Sequence, residues 1–210
     1  MKHPFFASGR PRVFAHRGGS GLAPENTLAA FEHGLELGAD GLELDVHLSR
    51  DGVVVVHHDP RLDRTTNRCG PINTCTAAEL AEVDAAWWFR RDGEFCFRGR
   101  GLCVPTLATV LERFPDVPII IELKGRDLAL AHAVVAVVRA ANAVDRVCLG
   151  CFDVRTLRMV RALEPAIATS AARLEVIGAL LWATCGWPLA SVMYAGFQVP
   201  ERSGPLRVVS

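Results

Sequence analysis

Short aliphatic and β-branched runs alternate along most of this chain with helical stretches, and that rhythm restricts it to helices packed on a largely parallel sheet. Strands are expected at residues 13–16, 41–48, 53–58, 118–124, 147–152, 166–170 and 193–199, and helices at 26–37, 106–114, about 127–143, 153–163 and 174–184. The first helix takes Asn26 as its N-cap and Gly38 as its stop, with Leu28, Phe31 and Leu35 on one face, and Asp153 caps a later one. Two places break the alternation. Only Ser49, Arg50, Asp51 and Gly52 separate the second and third strands, whereas a parallel crossover needs about a dozen residues, so this pair reads as a hairpin. Residues 59–104 hold a turn-rich stretch, a capping box from Thr76 to Glu79 and the aromatics Trp87, Trp88 and Phe89; they read as an insertion on one loop, too small for a domain. With half of its 210 residues apolar, the chain can bury a core as a single domain over 1–210. It is short of the roughly 250 residues usual for an eightfold barrel.

Charge removes some functions. Lys plus Arg and Asp plus Glu both number 23, and without a basic tract the chain lacks the clustered positive charge that nucleic acid requires. The N-terminus carries no apolar run of a secretory signal, and no stretch approaches the roughly 18 apolar residues that cross a bilayer. Stable membrane insertion is therefore not expected. Seven scattered cysteines argue against a disulfide framework and for a reducing compartment; the expected location is cytoplasmic. Cys148 and Cys151 form a C-x-x-C inside an apolar strand, without a second ligand pair, and read as buried structural thiols.

The chemistry sits in GLELDVHLS, residues 41–49. Strand side chains alternate, so Leu42, Leu44, Val46 and Leu48 share one face and Glu43, Asp45, His47 and Ser49 the other. Glu122 in PIIIELK is a third acid, on the face of Ile120 and Lys124. Three carboxylates without a Cys or His pair suit Mg²⁺ or Ca²⁺ better than zinc. Spacing leaves open an alternative in which Arg17, Lys124 or other arginines neutralise them in an ion-pair network. His16 ends the first strand and His58 the third, where site-forming loops gather. A hairpin turn centred on Arg50 and Asp51 sets Glu43 opposite His58, and one centred on Asp51 and Gly52 sets Asp45 opposite it. His47 and His57 are weaker candidates. Lys124 runs against a composition of 21 Arg and two Lys and suits a point charge. A cation, two imidazoles, a guanidinium and an ammonium on one rim fit a reaction at phosphate. Glycoside hydrolysis would use only the acids.

Residues 13–124 carry AHRGG, PENT, ELD, DG, HHD, LDRTTN, VPT and IELK in order, and on these motifs the chain resembles the glycerophosphodiester phosphodiesterases. The resemblance implies an α/β fold of the TIM-type (β/α)-barrel and metal-dependent hydrolysis of a small-molecule glycerophosphodiester to glycerol 3-phosphate and an alcohol. It implies His16 and His58 as the acid/base pair, Glu43, Asp45 and Glu122 as ligands of one divalent cation, Mg²⁺ or Ca²⁺, and Arg17 and Lys124 as phosphate contacts. Glu25 and Asn26 would brace the first loop and cap its helix. The family continues with a further helix and an eighth, Trp-bearing strand, so the expectation is a barrel truncated after about seven strands, with open edges and compromised solubility or activity. Cooperative monomeric melting with full activity would count against that. Two other readings stand beside the enzyme: a non-catalytic phosphodiester-binding barrel, and a head-group phosphodiesterase for lysophospholipid or sphingolipid, motivated by Trp87, Trp88 and Phe89.

Overall fold

A computed structural model of the chain describes residues 3–186, 192–199, 202–203 and 206–207. In chain order the elements are β1 (Phe14–His16), α1 (Leu28–Glu36), β2 (Gly41–Leu48), β3 (Val54–Val56), α2 (Ala77–Ala81), α3 (Leu107–Arg113), β4 (Ile119–Leu123), α4 (Leu128–Ala140), β5 (Val147–Gly150), α5 (Val154–Leu163), β6 (Ala168–Thr169) and α6 (Arg173–Thr184). A separate small hairpin joins β7 (Arg202–Ser203) to β8 (Leu206–Arg207).

The wall is parallel in the order β1-β2-β4-β5-β6, with β3 hung antiparallel on β2. The α/β class follows from the alternation, and the hairpin is also as expected, but one strand expectation, at 193–199, is corrected. The third run is the return arm of a hairpin, because four linking residues cannot cross a sheet face. Its middle residue, Val55, packs with Leu62, Ile72, Leu80 and Val104 as the core of the 59–104 insertion, while Val54 and Val56 face the main core. The expected strand at 193–199 is not one; Gly196 makes an isolated parallel bridge to Ser170, and residues 187–191 lie outside the described set.

The hairpin register also differs from both expected alternatives. Val46 faces Val56 and Leu48 faces Val54, which centres the turn on Asp51 and pairs the His57 N–H with the Asp45 carbonyl at 2.9 Å. The loop is odd, with Gly52 at φ 76°, whereas both expected registers close on a two-residue turn.

The outer face of the wall supplies Leu42, Leu44, Val46, Ile119, Ile121, Leu123, Val147 and Leu149 to one core with helices α1 and α3 to α5. Helix α1 approaches β1 so closely that a Cβ on Gly34 would come within 2.7 Å of the Ala15 methyl, and one on Gly18 within 2.7 Å of the Ala30 backbone. The inner face is different in kind. At its N-terminal end Phe5, Phe14, Ile120, Cys148 and Ala168 close the interior, Phe5 stacking on Phe14 at 5.9 Å. Towards the strands' C-terminal ends the same face carries the acids.

The first helix is capped by Thr27, whose hydroxyl accepts the Ala30 N–H at 3.2 Å, and not by Asn26. Asn26 sits one residue earlier at φ 58°, a conformation asparagine tolerates, and its amide is used elsewhere. The Thr76–Glu79 capping box forms as expected. Asp153 stands at an N-cap, but its carboxylate takes the Thr156 hydroxyl instead of a backbone N–H.

Candidate active site

Parallel register brings the acids together: His16 lies beside Glu43 on neighbouring strands, and Asp45 lies beside Glu122. Carboxylate oxygens of Glu43, Asp45 and Glu122 fall within 4.8 Å of one another. The charges around them are unequal. Lys124 Nζ is 2.8 Å from Asp45 and 3.1 Å from Glu122, and Arg17 Nε is 3.4 Å from Asp45. Asp45, 1% exposed, also accepts the Asn26 side-chain N–H at 3.0 Å, and its own backbone N–H donates to Asn26 Oδ1 at 3.3 Å. Both anticipated cations are therefore present, yet they do not neutralise the cluster. Glu122 Oε1, though near Lys124, accepts no hydrogen bond from the described residues. Among the described residues Glu43 keeps only the Arg17 backbone N–H at 3.1 Å and His16 Nε2 at 3.8 Å. Burial, and then the Asp45 charge beside it, push the Glu43 carboxyl up to about 7. An orphaned buried oxygen and a carboxylate short of positive charge make an all-oxygen donor set that fits a hard divalent cation.

The loop after β1 turns through three successive left-handed residues, Arg17, Gly18 and Gly19. That turn aims the Arg17 N–H at Glu43 and lets its guanidinium reach Glu25 at 3.2 Å. Glu25 in turn receives two bonds from Arg64, at 2.8 and 2.7 Å. Arg64 Nε reaches Asp59 at 2.5 Å, and Asp59 meets His58 Nδ1 at 2.6 Å. A continuous chain of paired charges thus runs from Arg17 to His58. Burial works to raise the Asp59 carboxyl, but bonds from Arg64 and His58 outweigh it and hold it at about 2. As a carboxylate it accepts the Nδ1–H of His58 and leaves Nε2 as the free ring nitrogen. Burial, with Arg17 adding to it, lowers the His16 pKa, favouring a neutral ring. Lys124 is held above the ordinary lysine range because Asp45 and Glu122 outweigh the burial that would lower it.

Asp59 and Arg64 were not singled out from the sequence. The signal was an acid directly after a candidate histidine, in HHD, followed by the arginine of LDRTTN. His47 and His57 serve the backbone, His47 Nε2 at the His58 carbonyl and His57 Nε2 at the Arg61 carbonyl. Cys148 and Cys151 are buried free thiols, and burial pushes the former up to about 12, where no nucleophilic thiolate forms. Trp87, Trp88 and Phe95 gather around the Arg98 guanidinium, which accounts for most of the aromatic cluster as packing of the insertion.

A cavity of about 830 Å³ opens at the cluster, with His16, Glu43 and Glu122 on one side and Phe152, Val176, Ile177 and Leu180 on the other. The mouth is thus polar where the strands end and apolar along α6.

The sequence profile of the glycerophosphoryl diester phosphodiesterase family matches residues 16–195. A glycerophosphodiester phosphodiesterase of Caldanaerobacter subterraneus is 39% identical over 158 residues, 73% of this chain and 63% of that protein. A glycerophosphodiester phosphodiesterase structure from Agrobacterium tumefaciens is 36% identical with a TM-score of 0.69, over 77% of this chain and 67% of that one. An Oleispira antarctica phosphodiesterase, solved with the product sn-glycerol-3-phosphate, is 31% identical with a TM-score of 0.70, over 84% of this chain and 72% of that one. These structural neighbours are barrels of the TIM type, and the wall described above is part of that architecture. The chain spans a little under two thirds of the length of the first curated relatives it matches.

Proposed function

Because the chain belongs to the glycerophosphoryl diester phosphodiesterase family, we propose that it hydrolyses glycerophosphodiesters to glycerol 3-phosphate and an alcohol. The observation that carries this reading is the cluster of three carboxylates with surplus negative charge, two of which, Glu43 and Glu122, line an open cavity. Glu43, Asp45 and Glu122 would hold one divalent cation, Mg²⁺ or Ca²⁺. When bound, such an ion supplies Lewis acidity and charge stabilisation at a phosphoryl oxygen. Arg17 and Lys124 add fixed positive charge beside it, held in place by Glu25, Asp45 and Glu122, so little reorganisation is needed as charge develops on the ester. His16 and His58 divide the proton transfers: one takes the proton of the attacking hydroxyl while the other gives a proton to the departing alcohol. Asp59 orients the His58 ring by accepting from its Nδ1. Asn26 braces Asp45 from the first loop.

The test is release of glycerol 3-phosphate from glycerophosphocholine and related diesters, with and without chelator. His16→Ala and His58→Ala should each lower kcat by about 10²- to 10⁴-fold. Turnover undiminished in excess EDTA rejects the ion, and normal turnover in both variants rejects the acid/base pair. The apolar side of the cavity favours a second reading, single-chain lysophospholipids as substrates, with the alkyl chain along Val176, Ile177 and Leu180. Comparing long-chain with deacylated diesters separates the two. A barrel that binds diesters without product would support the non-catalytic alternative.

A further inference from the structure

The loops following β4, β5 and β6 emerge side by side, because those three strands are neighbours in the wall. Each loop presents a large apolar side chain to solvent: Leu128 at the start of α4 (40% exposed), Phe152 before α5 (72%) and Leu174 in the first turn of α6 (67%). Each also carries an arginine beside it, Arg126, Arg155 and Arg173. Two acids share these loops: Asp153 pairs with Arg155 at 3.5 Å and takes the Thr156 hydroxyl, and Asp127 accepts the Ala129 N–H but keeps its charge. Arg126 and Arg173 have no carboxylate partner among the described residues. Three exposed apolar tips on one rim are not used by the core, and the three arginines near them in the chain outnumber the two acids, which leaves a small net positive charge.

We propose that this rim is a docking surface for an anionic lipid bilayer, with Leu128, Phe152 and Leu174 entering the interface and Arg126 and Arg173 meeting acidic headgroups. An apolar patch rimmed by cations is the pattern that holds a peripheral protein at such a surface, adding buried apolar area to electrostatic attraction. The rim is continuous with the catalytic mouth, since Phe152 and Arg173 also line its cavity. Docking therefore turns the mouth towards the bilayer. Contact of this kind needs no spanning segment, and no helix among the described residues is long and apolar enough to cross a membrane.

The experiment is co-sedimentation of the full chain with vesicles of phosphatidylcholine alone and of phosphatidylcholine with phosphatidylglycerol. Binding is expected to the anionic vesicles, weakening with salt. Leu128→Ser and Leu174→Ser should each reduce it about tenfold, as expected for losing part of a leucine's burial, and Arg126→Gln should lower it on anionic vesicles. Leu128 and Leu174 do not line the cavity, so their variants should hydrolyse soluble glycerophosphocholine as the parent does. Absence of vesicle binding, or binding that both serine variants and Arg126→Gln leave unchanged, overturns the proposal. So does concentration-dependent dimerisation that the serine substitutions abolish in a chain that ignores vesicles, since the rim is then a contact between copies. Sedimentation is read without turnover, so loss of the enzymatic reading leaves this result intact, and the reverse also holds.

Discussion

Asp45 is the most constrained residue of the site, since two cations and an asparagine amide converge on a carboxylate that water hardly reaches. Glu43, two residues away on the same face, has the opposite problem: burial without enough positive charge holds its carboxyl at about 7. A divalent ion bound by the ionised form must displace that proton. Affinity for Mg²⁺ or Ca²⁺ should therefore be near its plateau above about pH 7 and fall roughly tenfold per pH unit below it; calorimetric titration across that range checks the slope. Asp59→Asn removes the anion that accepts the His58 Nδ1–H. A loss of about 10- to 100-fold in kcat is expected, with little change in KM, because the ring loses its orientation and not a substrate contact. An unchanged kcat would show that Asp59 serves packing alone. The alternation of acids along β2 was legible in the residues themselves, because strand period alone decides which face they share. The chain from Arg17 through Glu25, Arg64 and Asp59 to His58 was not, because its members come from two separate loops, those after β1 and β3.

At the scale of elements, neighbouring residues in the first loop have divided two jobs assigned to one. Thr27 caps α1 and Asn26 holds Asp45. Thr27→Ala should cost about 1 kcal/mol in urea unfolding and leave the affinity for a divalent ion unaltered. Asn26→Ala should do the reverse at the site, weakening ion binding by freeing Asp45 to move; equal effects of the two substitutions on binding would contradict that division. Both residues suit an N-cap by type, and only the backbone, left-handed at Asn26 and extended at Thr27, separates them. The hairpin shows the same limit. Its existence followed from four linking residues, but register depends on where the turn closes, and one residue of difference moved His57 to the position anticipated for His58.

At the scale of the molecule, cation binding and folding are coupled. Because the fold raises the Glu43 pKa from its ordinary 4.5 to about 7, the protonated side chain contributes stability that is complete below about pH 4.5 and is lost as pH rises through about 7. A bound divalent ion offsets that loss. At about a hundred times its dissociation constant it should stabilise the fold by about 2.7 kcal/mol, which for a chain of this size raises Tm by roughly 5–10 °C. The rise should be larger at about pH 8 than at about pH 5; thermal melts with and without EDTA measure it, and a rise independent of pH would place the ion elsewhere. The amino-acid sequence determined the α/β class, the inward row of carboxylates and the motifs of the family, since these depend on periodicity and on residues close along the chain. Tertiary structure alone decided how the charges balance: parallel register set Asp45 beside Glu122, left-handed turns carried Arg17 onto Glu43 and Glu25, and burial gave those contacts their energy. Such terms depend on distances between segments far apart in the chain, which a one-dimensional pattern does not contain.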